Sequence, residues 1–483
     1  MATVKIDRFS GIAPCVAPSL LSDGMATEAR NCRLESGKLV PLRQPTFVES
    51  TQHTVYHENG LGKIYDANSL YCWKHTMKDG SVRTDFLAFP GRVYFAHGNI
   101  ADDSRDRIFV TGETGVSFVS SNAEETKDCP AVFLFDRESN EIDRHCIIKE
   151  PLDAPRASVQ SNPDDVDAIE SYFFFSWYDK YGYESPASDP SRNKNVGASA
   201  YKDVPLKHAT NGQVIFQPVH LPPEAAGMRV YKTIAGNETD NIQFIYEFNS
   251  GSLRTIETEF TLRIDETQAA ETMPEVESPP YDLTDMTFVP GNFYAGRSRS
   301  MPHTVLFSDV DNPTNWPMAY RYDVRDNIVK LAVTSNSVFA LTDGTPFVLS
   351  GTAPESMTIA SLATPAACVS EKSVVVLNNV VYFASNYGLM AIEDGATVES
   401  SCQNVTEKYL SVDQWQALNP ESCMIGAYRG ALYMFFHKKE GTAVNMRFDL
   451  QAGTNALTTH DEEARCVVVD NRTGKMYFVR KES

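Results

Sequence analysis

Two histidines and one pair of aspartates are the residues of this chain whose types and spacing come nearest to chemistry. His97 in "YFAHGN" and His437 in "FFHKK" sit at the ends of apolar runs, where an imidazole could transfer protons. Asp309 and Asp311 in "SDVDNPTNW" stand two apart before a proline. Paired carboxylates are what a glycosidase needs, about 5 Å apart in retaining enzymes and further apart in inverting ones. Neither set carries a motif. The ten histidines are scattered, and among 63 acidic residues any pair can be nominated. The aspartate string reads as turn chemistry, with side-chain oxygens accepting from local amides. HExxH, GxSxG, GxxxxGK[ST] and an ordered glycine-rich phosphate loop are all absent from the sequence. Nine cysteines include no CxxC pair, which argues against zinc and redox motifs and predicts buried free thiols in a reducing compartment. The expectation is a chain without a catalytic centre, metal or cofactor.

The elements that would position such residues are strands. Of the 483 residues 42% are hydrophobic and 11% aromatic, enough for sizeable cores. Phe and Tyr recur in short β-branched runs, and 26 prolines and 27 glycines punctuate the whole length. The fold class expected is all-β. The net charge of −20 argues against sequence reading of nucleic acid and against docking on an anionic membrane. No apolar run approaches the roughly 18 residues of a membrane-spanning helix. "MATVKIDRFS" lacks the apolar core of a secretory signal, so synthesis in a cytoplasm is expected.

The C-terminal half repeats itself. "NSVFALTDGTPFVLSG", "VVVLNNVVYFASNYGLMAIEDG", "CMIGAYRGALYMFFHKKEGTAVNMRFDL" and "ARCVVVDNRTGKMYFVRKES" each read as strands joined by Asp-Gly, Asn-Asn, Tyr-Gly, Arg-Gly or Glu-Gly turns. The aromatics after the turns, Phe339, Tyr382, Tyr433 and Tyr477, recur at roughly 43 to 51 residues. Units of that period with three or four strands are propeller blades. A small sheet cannot bury both its faces alone, so it stacks on its neighbours around an axis. An ordinary sandwich with hairpins of similar size is the alternative. The predicted organisation is an N-terminal arm and closing strand over 1–48, first blades over 49–150, an insert over 151–280 and further blades over 281–483. The insert, entered through "KEPLDAPRASV", has short strands every ten to twenty residues, as in a fibronectin III or immunoglobulin-like β-sandwich. Trp177 and Tyr231 are its expected core anchors.

Three strings carry a resemblance. "FSGIAPCVAPSLLSDGMATEARNCRLESGKLVPLRQP", "YAGRSRSMPHTVLFSDVDNPTNWP" and "ALTDGTPFVLSGTAPESMTIASLATPAACVSEKSVVVLNNVVYFASNYGLMAI" are similar, in this order, to segments of tail proteins from short-tailed bacteriophages. The family is that of the tail nozzle (tail tubular protein B) and the related tail hub. The resemblance implies a structural virion protein of the tail, assembled as a homohexamer around a DNA channel. It would meet an adaptor ring above and tail fibres or a needle below, and conduct DNA without reading its sequence. With such a ring in view, the proline-spaced opening suits an arm laid on a neighbour or on the adaptor, through Phe9, Ile12, Pro14, Val16, Pro18, Leu20, Leu21, Leu39, Pro41 and Leu42. Packing on its own propeller is the alternative for the arm. "CRLESGKLVPL" is expected to close a blade, and acidic residues are expected to line the lumen. The rival functional reading is a propeller glycan hydrolase or a glycan-binding tail accessory protein.

Overall fold

In a computed structural model of the protein, the residues described are 8–35, 38–48, 55–56, 67–98, 106–112, 117–119, 126–128, 130–136, 141–160, 168–234, 241–249, 251–252, 255–265, 271–394, 402–437, 444–450, 455–470 and 473–480. Turn chemistry shapes the hairpins. Asn378 and Asn379 (φ 53° and 61°) and Arg429 and Gly430 (φ 50° and 73°) are consecutive left-handed residues. That conformation makes the mirror-image turn whose twist matches paired strands. The first pair joins Val375–Leu377 to Val380–Ala384, and the second joins Met424–Tyr428 to Ala431–Phe435.

Seven sheets follow one another around an axis. Blade 1 comprises Val55–Tyr56, Ser69–Thr76 and Val82–Phe89. Blade 2 comprises Val93–Ala96, Arg107–Gly112, Ala131–Asp136 and Glu141–Cys146. Blade 3 runs from Leu283–Val289 to Arg321–Asp323, blade 4 from Ile328–Val333 to Thr358–Ser361, and blade 5 from Val375–Leu377 to Gln403–Asn404. Blade 6 runs from Met424–Tyr428 to Ala456–His460, and blade 7 is the hairpin Ala464–Asp470 with Lys475–Arg480. Alternating side chains send one face of each sheet to the blade before and the other to the blade after.

Blade 1 shows the alternation plainly. Trp73, Leu87 and Phe89 meet Val93, Ile108 and Val110 of blade 2, whereas Leu70, Cys72, Phe86 and Ala88 meet Cys466 and Val479 of blade 7. The first blades therefore close on the last, and the two portions flanking the insert form one ring, a β-propeller. Phe339, Tyr382, Tyr433 and Tyr477 all lie on the second strands of their blades, and each faces the following blade. Their recurrence in sequence is this shared position.

The insert is a sandwich. One sheet holds Arg192–Lys194, Arg156–Ser158, Gln213–Phe216 and Phe260–Arg263, and the other holds Phe173–Asp179, Ala225–Thr233 and Ile242–Phe248. Phe175, Trp177, Phe216, Met228 and Phe260 fill the space between them. Tyr231 is buried on the opposite face of its sheet with Phe174, and its hydroxyl donates to Glu184 at 2.6 Å. The chain leaves and rejoins the propeller through adjacent segments, because Ser278 and Tyr281 both donate to Glu150, at 2.6 and 2.8 Å. The Arg107 guanidinium of blade 2 lies 4.0 Å from the Tyr181 ring centre and 5.1 Å from that of Tyr183, both on a turn of the sandwich. A stacked cation of this kind fixes orientation as well as distance.

Two expectations are corrected. Cys146 is disulfide-bonded, so the cysteines are not all free thiols; among the described residues seven others are free. The hairpin Cys32–Glu35 with Lys38–Pro41, expected to close a blade, is a separate two-stranded sheet. Residues 29–31 instead pair in parallel with the outer strand of blade 6, Asn31 N–H donating to Thr459 at 2.8 Å and Thr459 N–H to Ala29 at 2.9 Å. Ring closure is made by side-chain packing of blade 1 on blade 7. No helix among the described residues is long and apolar enough to cross a membrane.

Candidate interaction sites on the arm and the propeller axis

The arm follows the outer side of blades 5 and 6. Ile12 N–H donates to Leu457 at 2.9 Å and Cys15 N–H to Tyr409 at 3.1 Å. Gly11 makes this approach possible. Its φ is +89°, and a Cβ there would lie 2.6 Å from the Leu457 carbonyl oxygen. Further along, Arg30 and Asn31 donate to Asp461 at 2.7 and 2.6 Å, and Leu34 N–H donates to Asp449.

The ten expected interface residues divide accordingly. Ile12 is 4% exposed in the core between blades 5 and 6, so it is corrected from a contact with a neighbour to an internal anchor. Phe9, Val16 and Leu21 pack half-buried against the same core, and Leu42 packs against the core between blades 6 and 7. Pro14, Pro18, Leu20, Leu39 and Pro41 remain exposed, Leu20 by 74%, and Phe47 just beyond them by 85%. Apolar spacing identifies residues that need a partner; it does not say whether that partner is internal. Phe47 was missed because it stands outside the proline-spaced pattern.

A second cluster, absent from any sequence motif, occupies the axis. Asp285 sits on a bulge of blade 3's innermost strand with φ 53°, fully buried. Its carboxylate accepts from Leu331 N–H at 2.7 Å and from the Lys330 ammonium, with Arg297 Nε at 3.7 Å. Arg297 also donates to the Ile328 carbonyl at 2.9 Å and to the Tyr94 hydroxyl at 3.2 Å. Tyr94, from blade 2, donates in turn at 2.5 Å to Glu371, on the turn Glu371–Ser373 that leads into blade 5. Glu371 pairs with Arg92 at 2.8 Å, while Lys372 donates to the Asn68 carbonyl at 3.3 Å. Burial first, then the Asp285 and Glu371 carboxylates, push the Tyr94 phenol far above the ordinary tyrosine range. Burial and the neighbouring Arg92 charge hold the Lys372 ammonium below its usual value. Tyr94 belongs to blade 2 and Glu371 leads into blade 5, three positions on, so their hydrogen bond crosses the centre of the ring.

His97 is more connected than its sequence context suggests. The Tyr71 hydroxyl lies 2.8 Å from His97 Nδ1, Asp106 Oδ1 lies 2.5 Å from His97 Nε2, and Trp73 Nε1–H donates to Asp106 at 2.7 Å. Such a chain holds the imidazole in one orientation, with the Asp106 carboxylate accepting from His97 Nε2–H and the Tyr71 hydroxyl bonded to Nδ1. His437 is held through its backbone by Ser422 and Asn419. Asp309 accepts from Val310 N–H at 2.9 Å and from the Asn315 side chain, and Asp311 is left-handed at φ 56°. Both aspartates serve the turn. No group of three or more His, Cys, Asp or Glu side chains that could hold a metal occurs among the described residues.

These features define an all-β chain, a β-propeller whose described residues form seven blades, carrying a β-sandwich. No known family description matches the chain, and no curated protein matches it. Solved propellers are similar at low identity. Kluyveromyces lactis Hsv2 is 12% identical with a TM-score of 0.25, covering 48% of this chain and 58% of that one. The N-terminal domain of Nup159 is 9% identical with a TM-score of 0.25, covering 62% and 70%. A putative 6-phosphogluconolactonase from Bacteroides fragilis is 11% identical with a TM-score of 0.23, covering 67% and 95%. The propeller assignment rests on the ring of sheets itself.

Proposed function

We propose that the protein is a structural component of a short phage tail, a nozzle subunit that assembles as a homohexamer, meets an adaptor ring and fibres or a needle, and conducts DNA at ejection. The observation that carries this reading is the arm: it is pinned along blades 5 and 6, yet holds Leu20 and Phe47 out into solvent. Large apolar side chains presented on an ordered segment fit pockets of a partner subunit, and prolines lower the entropy lost on docking. Head-to-tail contacts of this type close rings. The three family-like strings support the same reading. The Tyr94–Glu371 bond crosses the propeller's own centre, which supports a DNA lumen formed between subunits over one along the blade axis. The mechanism is mechanical: no bond is made or broken, and the virion tail is the place of action.

Electron microscopy of the purified chain tests this, with a six-lobed annulus expected. Leu20→Asp with Phe47→Asp is expected to abolish the annulus while leaving the far-UV circular dichroism unchanged. Persistent monomers of the wild-type chain at concentrations of tens of micromolar would refute it. One observation favours the rival reading of a glycan hydrolase, namely the Tyr71–His97–Asp106 chain, since a tyrosine can replace the carboxylate nucleophile in some glycosidases. A screen on capsule and lipopolysaccharide with reducing-end release as readout separates the two. The nozzle reading expects no release.

A further inference from the structure

We propose that the end of the propeller axis where the inner strands begin is a binding site for an oxyanion of the phosphate class, held by Arg92 and Lys372. Position is the first argument. Arg92 directly precedes Val93–Ala96, Lys372 lies three residues before Val375–Leu377, and Asn68 directly precedes Ser69–Thr76. Each of these strands is the innermost of its blade, so residues at their starts come together at one mouth of the axis. The Asn68 carbonyl receives the Lys372 ammonium, and Glu371, the adjoining residue, receives Arg92 Nε.

Charge is the second argument. Arg92, Arg297, Lys330 and Lys372 face two carboxylates, Asp285 and Glu371, in this network. A surplus of two positive charges therefore gathers on the axis of a chain whose net charge is −20. Asp285 is buried and engaged with Lys330 and the Leu331 amide, and Glu371 is shared among Arg92, Arg297 and Tyr94, so the part of the surplus that lies at the mouth is Lys372, bonded to the Asn68 carbonyl beside the Arg92–Glu371 pair. Donor capacity is the third argument. Arg92 is 66% exposed and spends Nε on Glu371, leaving the outer edge of its guanidinium facing solvent. Lys372 spends one of three N–H groups on Asn68. A fork and an ammonium side by side, with surplus charge, match a tetrahedral oxyanion that accepts from both. Burial first, and then the neighbouring Arg92 charge, hold the Lys372 ammonium below its usual value, and an anion seated there offsets the second of these.

The source of the phosphate is either free inorganic phosphate or a phosphodiester of a single nucleic acid strand, and this inference does not depend on the nozzle reading. Isothermal titration calorimetry of the full chain, at constant ionic strength in an oxyanion-free buffer, separates them. One arm titrates inorganic phosphate and the other a short single-stranded DNA. Saturable binding of either at one site per chain is expected, phosphate alone pointing to the free anion and DNA alone to the diester. Arg92→Gln and Lys372→Gln are each expected to weaken it about tenfold or more, as loss of a charge-assisted hydrogen bond does. Arg92 is largely exposed, so its variant keeps the fold even if the Lys372 variant does not, and circular dichroism checks both. Absence of saturable heat in both arms, or wild-type affinity in Arg92→Gln, overturns the proposal.

Discussion

Replacing Asp285 by Asn tests whether the axial network holds the ring together. The amide is the same size, tolerates left-handed backbone, and can still accept from Leu331 N–H, which the carboxylate does at 2.7 Å. What it removes is charge. Lys330 loses its carboxylate partner and Arg297 loses the closer screening of Asp285 Oδ2 at 3.7 Å, in a site where Asp285 itself is fully buried. Removing one partner of a buried ion pair costs about 3–5 kcal/mol, because the other charge stays desolvated. Lys330 and Arg297 keep some exposure and Arg297 retains Glu371, so the lower end, about 3 kcal/mol, applies. At about 2.1 cal/mol/K per residue, 483 residues melting as one unit have an unfolding entropy of about 1 kcal/mol/K, so Tm should fall by about 3 °C. Differential scanning calorimetry of Asp285→Asn, Lys330→Met and the double variant provides the assay. The double variant should be more stable than Asp285→Asn alone, since it removes the stranded ammonium. A Tm for Asp285→Asn within half a degree of wild type, or strictly additive losses in the double variant, would refute the reasoning.

Three other outcomes are expected. His460 is buried on the outer strand of blade 6, and burial, which outweighs a hydrogen bond with the Met446 backbone, lowers its pKa from 6.5 to about 4. The unfolded chain thus takes this proton first as pH falls, so a contribution of about 3 kcal/mol is intact above pH 6.5 and lost progressively toward pH 4, a slope that His460→Phe should flatten in denaturant titrations. Gly11→Ala should free the arm, because a Cβ meets the Leu457 carbonyl and φ is +89°; limited proteolysis should then cut within the first thirty or so residues well before wild type, and equal cutting rates would contradict the docking. With a net charge of −20, duplex DNA should bind weakly or not at all at low salt; tight binding in a gel-shift assay at 20 mM salt or so would contradict a low-friction lumen.

Much of the architecture is written locally in the chain. The mirror-image turns at Asn378-Asn379 and Arg429-Gly430 are marked by Asn378, Asn379 and Gly430, residues that accept left-handed backbone, and the recurrence of Phe339, Tyr382, Tyr433 and Tyr477 marks one position in successive blades. Period-2 alternation and turn residues act over a few positions, so strands, hairpins and blades could be read without coordinates. What required the tertiary structure is everything set by which face meets which. Ile12 and Leu20 are both aliphatic members of the same proline-spaced strip, yet one fills the core between two blades and the other stands in solvent, because only the first lies opposite Leu457. The axial network joins residues 94, 285, 297, 330 and 371, separated by up to 277 positions and sharing no motif. Ring closure makes them neighbours, and closure is a property of seven packed sheets that no local stretch of sequence contains.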